Sequence, residues 1–150
     1  MIIIGYQGIG KSTLCARKTN CIDLESSQFN ISGNRPDGWE IIYCRIATYL
    51  SSKGLIVFTS SHATVRELLK NRGAKVIVCC PKKELRDQWL EKLRLRYEST
   101  HLDKDLRAYY NAVDCYEENI DDMTSEGFDI CWIDSMDYDL ETLINHFTNI

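Results

Sequence analysis

The chain begins Met1-Ile2-Ile3-Ile4-Gly5-Tyr6-Gln7-Gly8-Ile9-Gly10-Lys11-Ser12-Thr13. Residues 1–5 carry three consecutive isoleucines, the composition of a strand buried on both faces. Residues 5–12 then satisfy the spacing G-x-x-x-x-G-K-[ST], and a short helical pattern follows to about Lys18. In a strand–loop–helix context each position has a chemical reason. Glycines let the loop curl so that successive backbone N–H groups face phosphate oxygens, and the helix start adds its positive dipole end. Lys11 is placed to bridge two phosphates, and the Ser12 hydroxyl is a hard oxygen donor for Mg²⁺. Gln7, Gly8, Ile9, Gly10, Lys11, Ser12 and Thr13 are therefore the predicted nucleotide-binding residues, with ATP and Mg²⁺ as cofactors.

Working outward, apolar runs recur at residues 21–24, 55–59, 75–80 and 130–134, with helical patterns between them. The helix after residue 37 is expected to be capped by Asp37 and to bury Trp39, Ile42, Ile46, Ala47 and Leu50. Helices are also expected at 63–71 and 82–97, the latter turning Leu85, Trp89 and Leu93 inward. A break over residues 98–105 precedes a pattern of Leu106, Tyr109, Tyr110, Val113 and Ile120. The closing helix, capped by Asp139, presents Leu140, Leu143, Ile144 and Phe147. Strands alternating with crossover helices specify an α/β fold: a three-layer domain over residues 1–150, with helices on both faces of a five-stranded parallel sheet. Ligands in such sheets bind at the carboxyl ends of the strands.

Composition narrows the partners. Lys and Arg number 18 against 22 Asp and Glu, a net charge of −4, the wrong sign for a protein that lives on nucleic-acid backbone charge. No apolar run approaches the roughly 18 residues that span a bilayer, and the start lacks the pattern of a signal peptide. A cytoplasmic location, no membrane, and a monomer or homodimer are expected. The seven cysteines are odd in number, lack C-x-x-C spacing and sit mostly in apolar runs. They read as small buried hydrophobes rather than a disulfide or metal framework.

Two large nucleotide-binding classes fit poorly. The third run, Leu55-Ile56-Val57-Phe58-Thr59-Ser60-Ser61-His62, ends in hydroxyls rather than the acidic residue of motor-type NTPases. The N-K-x-D base-reading motif of GTPases does not occur. The remaining layout resembles the small P-loop kinases, the group of adenylate kinase, other nucleoside and deoxynucleoside monophosphate kinases, shikimate kinase and gluconate kinase. The resemblance covers the whole chain as layout, and only the loop is a specific motif.

That resemblance implies a strand order of 2-3-1-4-5 and an acidic residue facing the phosphoryl acceptor after the second strand. Here this is Asp23 in Cys21-Ile22-Asp23-Leu24-Glu25-Ser26-Ser27, with Glu25 beside it. Thr59-Ser60-Ser61 followed by Arg66 is similar to gluconate kinase, while the Asp-Gly-Phe-Pro-Arg type segment of adenylate kinase is absent. The resemblance also implies a lid over residues 94–105 whose arginines, Arg94 and Arg96, close on the transferred group; as an alternative, they are solvated cations offsetting the helix dipole. Asp23, Glu25, Arg35, Arg45 and Arg66 are the candidate acceptor-binding residues, around an acceptor region of residues 26–52. Lys11, Arg94, Arg96 and Asp23 are the candidate catalytic set. The turn after the fifth strand, with Met136, is expected beside the adenine.

The expectation is a P-loop phosphotransferase moving a phosphoryl group from ATP to a nucleoside or deoxynucleoside monophosphate. The alternatives are a sugar or hydroxyl kinase of the gluconate or shikimate kinase type, and a non-catalytic ATP-binding regulatory module.

Overall fold

Three β-branched residues in succession leave Ile2, Ile3 and Ile4 with no exposed surface. Successive strand residues point to opposite faces, so both faces of the sheet are covered at that strand. In the computed structural model, which describes residues 1–148, this is β1 (Ile2–Gly5), the middle strand of a five-stranded sheet. The others are β2 (Cys21–Asp23), β3 (Ile56–Thr59), β4 (Val76–Pro81) and β5 (Asp129–Ile133). Every pairing is parallel and the order is β2-β3-β1-β4-β5, as expected. Ile3 lies opposite Phe58 on β3 and Ile77 on β4.

The connecting helices are α1 (Lys11–Arg17), α2 (Trp39–Ser52), α3 (Ala63–Lys70), α4 (Arg86–Thr100), α5 (Asp103–Thr124) and α6 (Leu140–Thr148), with 3-10 turns at Ser26–Phe29 and Lys83–Leu85. Five of the seven cysteines are buried and all seven are free thiols. No described helix is long and apolar enough to cross a membrane.

Three local expectations are corrected. Asp37 does not cap α2: Pro36 to Trp39 form a turn closed by a Trp39 N–H to Pro36 carbonyl bond at 3.1 Å, and Gly38, at φ 75°, takes the N-cap position. The core face of α2 is Trp39, Tyr43, Cys44 and Ala47, while Ile42 is 54% exposed. The Tyr43 hydroxyl sets this rotation by donating to the Leu24 carbonyl at 2.5 Å and accepting the Ser60 N–H at 2.8 Å.

The third correction concerns the break at residues 98–105. Helix α4 runs to Thr100, and only His101, in the left-handed region at φ 54°, and Leu102 separate it from α5. Cys115 (φ −137°, ψ 26°) interrupts α5 with non-helical backbone. Asp105, Ala112, Tyr116, Ile120 and Met123 point inward, while Tyr110 is 57% exposed. Asp139 caps α6 as expected, accepting the Thr142 N–H at 3.1 Å.

Candidate functional site

The loop between β1 and α1 has the strand–loop–helix context that its spacing requires. Gly8 takes a left-handed backbone that favours glycine, and side chains crowd both it and Gly5. A side chain on Gly8, which sits at φ +84°, would come within 2.9 Å of the Leu93 side chain, and one on Gly5 within 2.8 Å of Ile9. Both α4 and the loop's own residues therefore press against its backbone.

Two aromatic side chains hold the loop's carbonyls. Trp89 Nε1 donates to the Gln7 carbonyl at 2.8 Å, and the Tyr138 hydroxyl donates to the Ile9 carbonyl at 2.7 Å. The two rings stack at 6.0 Å. Lys92 completes the unit: its Nζ donates to the Tyr138 hydroxyl at 2.9 Å and lies 4.5 Å from the Trp89 ring centroid. With these acceptors tied down, the curl of the loop is fixed by packing as well as by glycine. No side chain caps the N-terminus of α1.

In front of the loop is a cavity of about 710 Å³, within the range of small-molecule sites. Its wall includes every residue from Gln7 to Leu14, with Asp23 and Glu25 from the end of β2 and the cations Lys92, Arg96 and Lys104 from α4 and α5. Met136, Tyr138 and Leu140 line it on the side of the turn after β5.

The charges are strained toward neutrality. Burial lowers the Lys11 amine, opposed by the nearby carboxylates of Asp23 and Glu25 and reinforced by Arg96. Burial raises the Asp23 carboxyl, opposed chiefly by Lys11. Lys92 is lowered by burial and by Arg96. Desolvated charges of both signs around one cavity are what a charged ligand repays.

The predicted residues divide. Gln7, Gly8, Ile9, Gly10, Lys11, Ser12, Thr13, Asp23, Glu25 and Arg96 share the cavity. Arg96 is ion-paired with Asp105, which is 3% exposed and whose Oδ1 lies 3.0 Å from Arg96 Nε. Arg94 is turned away: its guanidinium donates to Glu91 at 2.9 Å and also pairs with Glu98. Arg35 donates to the Ser26 carbonyl and hydroxyl and lies over Trp39, and Arg45 is exposed on α2. Arg66 is buried and gripped at both ends of its fork by Glu126, at 2.9 and 3.0 Å. None of the three candidate acceptor arginines lines this cavity.

Sequence reasoning missed Trp89, Tyr138, Lys104 and Asp105. Trp89 and Tyr138 reach the loop from 82 and 129 residues away, beyond any local pattern. Among the described residues there is no cluster of three or more His, Cys, Asp or Glu side chains arranged to hold a metal ion. No protein-family model matches the chain, and no curated protein matches it.

Proposed function

We propose that this protein is an ATP- and Mg²⁺-dependent P-loop phosphotransferase acting on a small acceptor, a nucleoside or deoxynucleoside monophosphate. One observation carries the reading: the loop residues Gln7 to Thr13 are faced across a single cavity by Lys92, Arg96 and Lys104 and by Asp23 and Glu25. Cations suit the oxygens of a polyphosphate, and the carboxylates with the Ser12 hydroxyl are the hard oxygen donors that Mg²⁺ prefers.

In this reading the loop backbone and Lys11 hold the triphosphate, Ser12 serves the metal, and the turn through Met136 and Tyr138 lies against the base. Mg²⁺, which the Ser12 hydroxyl would help to hold, would supply charge neutralisation to the phosphates. Lys11 and Arg96 offset charge developing on the transferred group, and Asp105 keeps Arg96 in place for it. Asp23 orders water or an acceptor hydroxyl opposite Lys11.

The presence of two carboxylates in the cavity, with Arg35 and Arg66 committed elsewhere, favours a hydroxyl-bearing sugar acceptor as the second reading. Calorimetry of ATP·Mg²⁺ with the wild type and Lys11→Ala tests the donor site; at least a hundredfold loss of affinity is expected, and unchanged binding would overturn the reading. Coupled ADP release across nucleoside monophosphates, sugars and a blank then identifies the acceptor. Turnover equal in every sample would eliminate transfer and leave an ATP-binding module.

A further inference from the structure

All 18 lysines and arginines of this chain precede residue 108, whereas 11 of its 22 acidic residues follow it. At neutral pH the side-chain charges after Arg107 are therefore all negative. Such an asymmetry bears on association rather than on the fold. In the structure it falls on two helix faces that each meet solvent.

The first face is on α2. Ile41, Ile42 and Tyr49 are 46%, 54% and 61% exposed, and Arg45 and Lys53 stand among them. At 3.6 residues per turn these five positions fall on one stripe, covering about a third of the helix circumference. The Lys53 amine lies 5.3 Å from the Tyr49 ring centroid. Neither cation has a carboxylate partner among the described residues. A contiguous apolar stripe turned to water, rimmed by charge, is the composition of an interaction surface.

The second face is on α5. Tyr110 and Val113 are exposed there and are followed by Asp114, Glu117 and Glu118, also exposed. None of these three acids is in an ion pair among the described residues, while the next one, Asp121, is taken by Lys83. One stripe is thus apolar and cationic, the other apolar and anionic.

We propose that the α2 face of one copy docks on the α5 face of a second copy. Within one molecule the two stay apart: α2 joins β2 to β3 at one edge of the sheet, and α5 leads into β5 at the other. Like faces do not match. Two α2 stripes would bring four cations together with no carboxylate among them, and two α5 stripes would do the same with acids. Unlike faces pair Arg45 and Lys53 with Asp114, Glu117 and Glu118, and the isoleucines with Tyr110 and Val113. One helix on each side is a small interface, so the contact is reversible and its charges stay partly hydrated. None of these residues lines the cavity in front of the loop, so the association holds whether or not the protein transfers phosphoryl groups.

Sedimentation velocity over a concentration series, without nucleotide, tests the contact. The wild type is expected to self-associate at low ionic strength. Its apparent Kd is expected to rise at least tenfold between about 0.01 M and about 1 M salt, as the Debye length falls from about 30 Å to about 3 Å. Arg45→Glu combined with Lys53→Glu is expected to be monomeric. Adding Glu117→Lys and Glu118→Lys to that variant restores the wild type's net charge with the signs of the two faces exchanged, and association is expected to return. All four side chains are exposed, and circular dichroism confirms that each variant is folded. A wild type that stays monomeric at low salt, association that survives the α2 substitutions, or no recovery in the fourfold variant would overturn the proposal. Monomers throughout, with binding to phosphatidylcholine–phosphatidylserine vesicles that the α2 substitutions abolish, would overturn it in favour of a membrane surface.

Discussion

Trp89 Nε1 donates to the backbone carbonyl of Gln7 at 2.8 Å, joining a completely buried indole on α4 to the first turn of the glycine-rich loop. The bond closes a chain from loop to helix, because the same ring stacks on Tyr138, whose hydroxyl holds Ile9. Trp89→Phe keeps much of the packing and removes the donor, leaving a buried carbonyl unpaired. A loss of about 1–3 kcal/mol in urea unfolding is expected. With the loop no longer pinned, affinity for ATP is expected to fall about tenfold in calorimetry, the equivalent of about 1.4 kcal/mol. A variant that loses stability and keeps full ATP affinity would separate the indole from the function of the loop.

Arg94 and Arg96 lie two residues apart on α4 and have opposite prospects. Arg96 lines the cavity and is held by Asp105, whereas Arg94 is spent on Glu91 and Glu98. Arg96→Ala is expected to lower turnover by about a thousandfold, the scale on which arginines act in phosphoryl transfer. Arg94→Ala is expected to stay within twofold of the wild type. Asp105→Asn reports on positioning: turnover falls while the Kd for ATP holds. Equal effects of the two alanine variants in a coupled ADP assay would refute this division of roles.

These divisions show which kinds of information the sequence carries. The strands, the loop and the Asp139 cap rest on signals a few residues long, in contiguous apolar runs, fixed glycine spacing and one carboxylate before a helix, whereas the sheet order was legible only through the resemblance to the small P-loop kinases. The face of α2 was misread because Tyr43, a polar-tipped aromatic, is drawn inward by partners at Leu24 and Ser60 that its own helix does not encode. In α5 the buried positions Ala112, Tyr116, Ile120 and Met123 keep helical spacing through the non-helical Cys115, and Tyr110 and Val113 were misread because their apolar side chains fall on the exposed face. The arginines were interchangeable as letters; burial and carboxylate neighbours distinguish Arg96 from Arg66 and Arg94, and those neighbours arrive only with the tertiary fold.

Asp139, set between Tyr138 and Leu140 of the cavity wall, offers a test of a helix cap. Its carboxylate is held below the usual range by hydrogen bonds from the Thr142 side chain and backbone, with Arg17 adding to them. A depressed acid contributes stability above its ordinary value of 3.8 and loses it as pH falls through the folded value. Asp139→Ala is therefore expected to lower the urea midpoint at neutral pH, with the gap closing in acid. A gap that stays constant as the pH falls well below the ordinary 3.8 would assign the loss to something other than the charged cap.

Asp23 and Lys11 should show the reverse sign. Burial raises the Asp23 carboxyl above its ordinary 3.8, so its contribution to stability is full only below that value and is lost as pH rises through the folded one. At neutral pH its charge is a cost to the fold. Asp23→Asn removes the charge and is expected to raise the urea midpoint at pH 7, with the two proteins converging near pH 3, where both side chains are neutral. Lys11 is lowered by burial, so its charge also costs at neutral pH, and Lys11→Met is expected to gain stability there, with the gain fading above its ordinary 10.5. Both variants are expected to lose ATP turnover. Gain of stability with loss of activity at two residues facing one cavity marks groups kept for a ligand rather than for the fold. If both variants are instead destabilised at pH 7, Asp23 and Lys11 are a structural ion pair, and the proposal that they serve transfer loses its thermodynamic support.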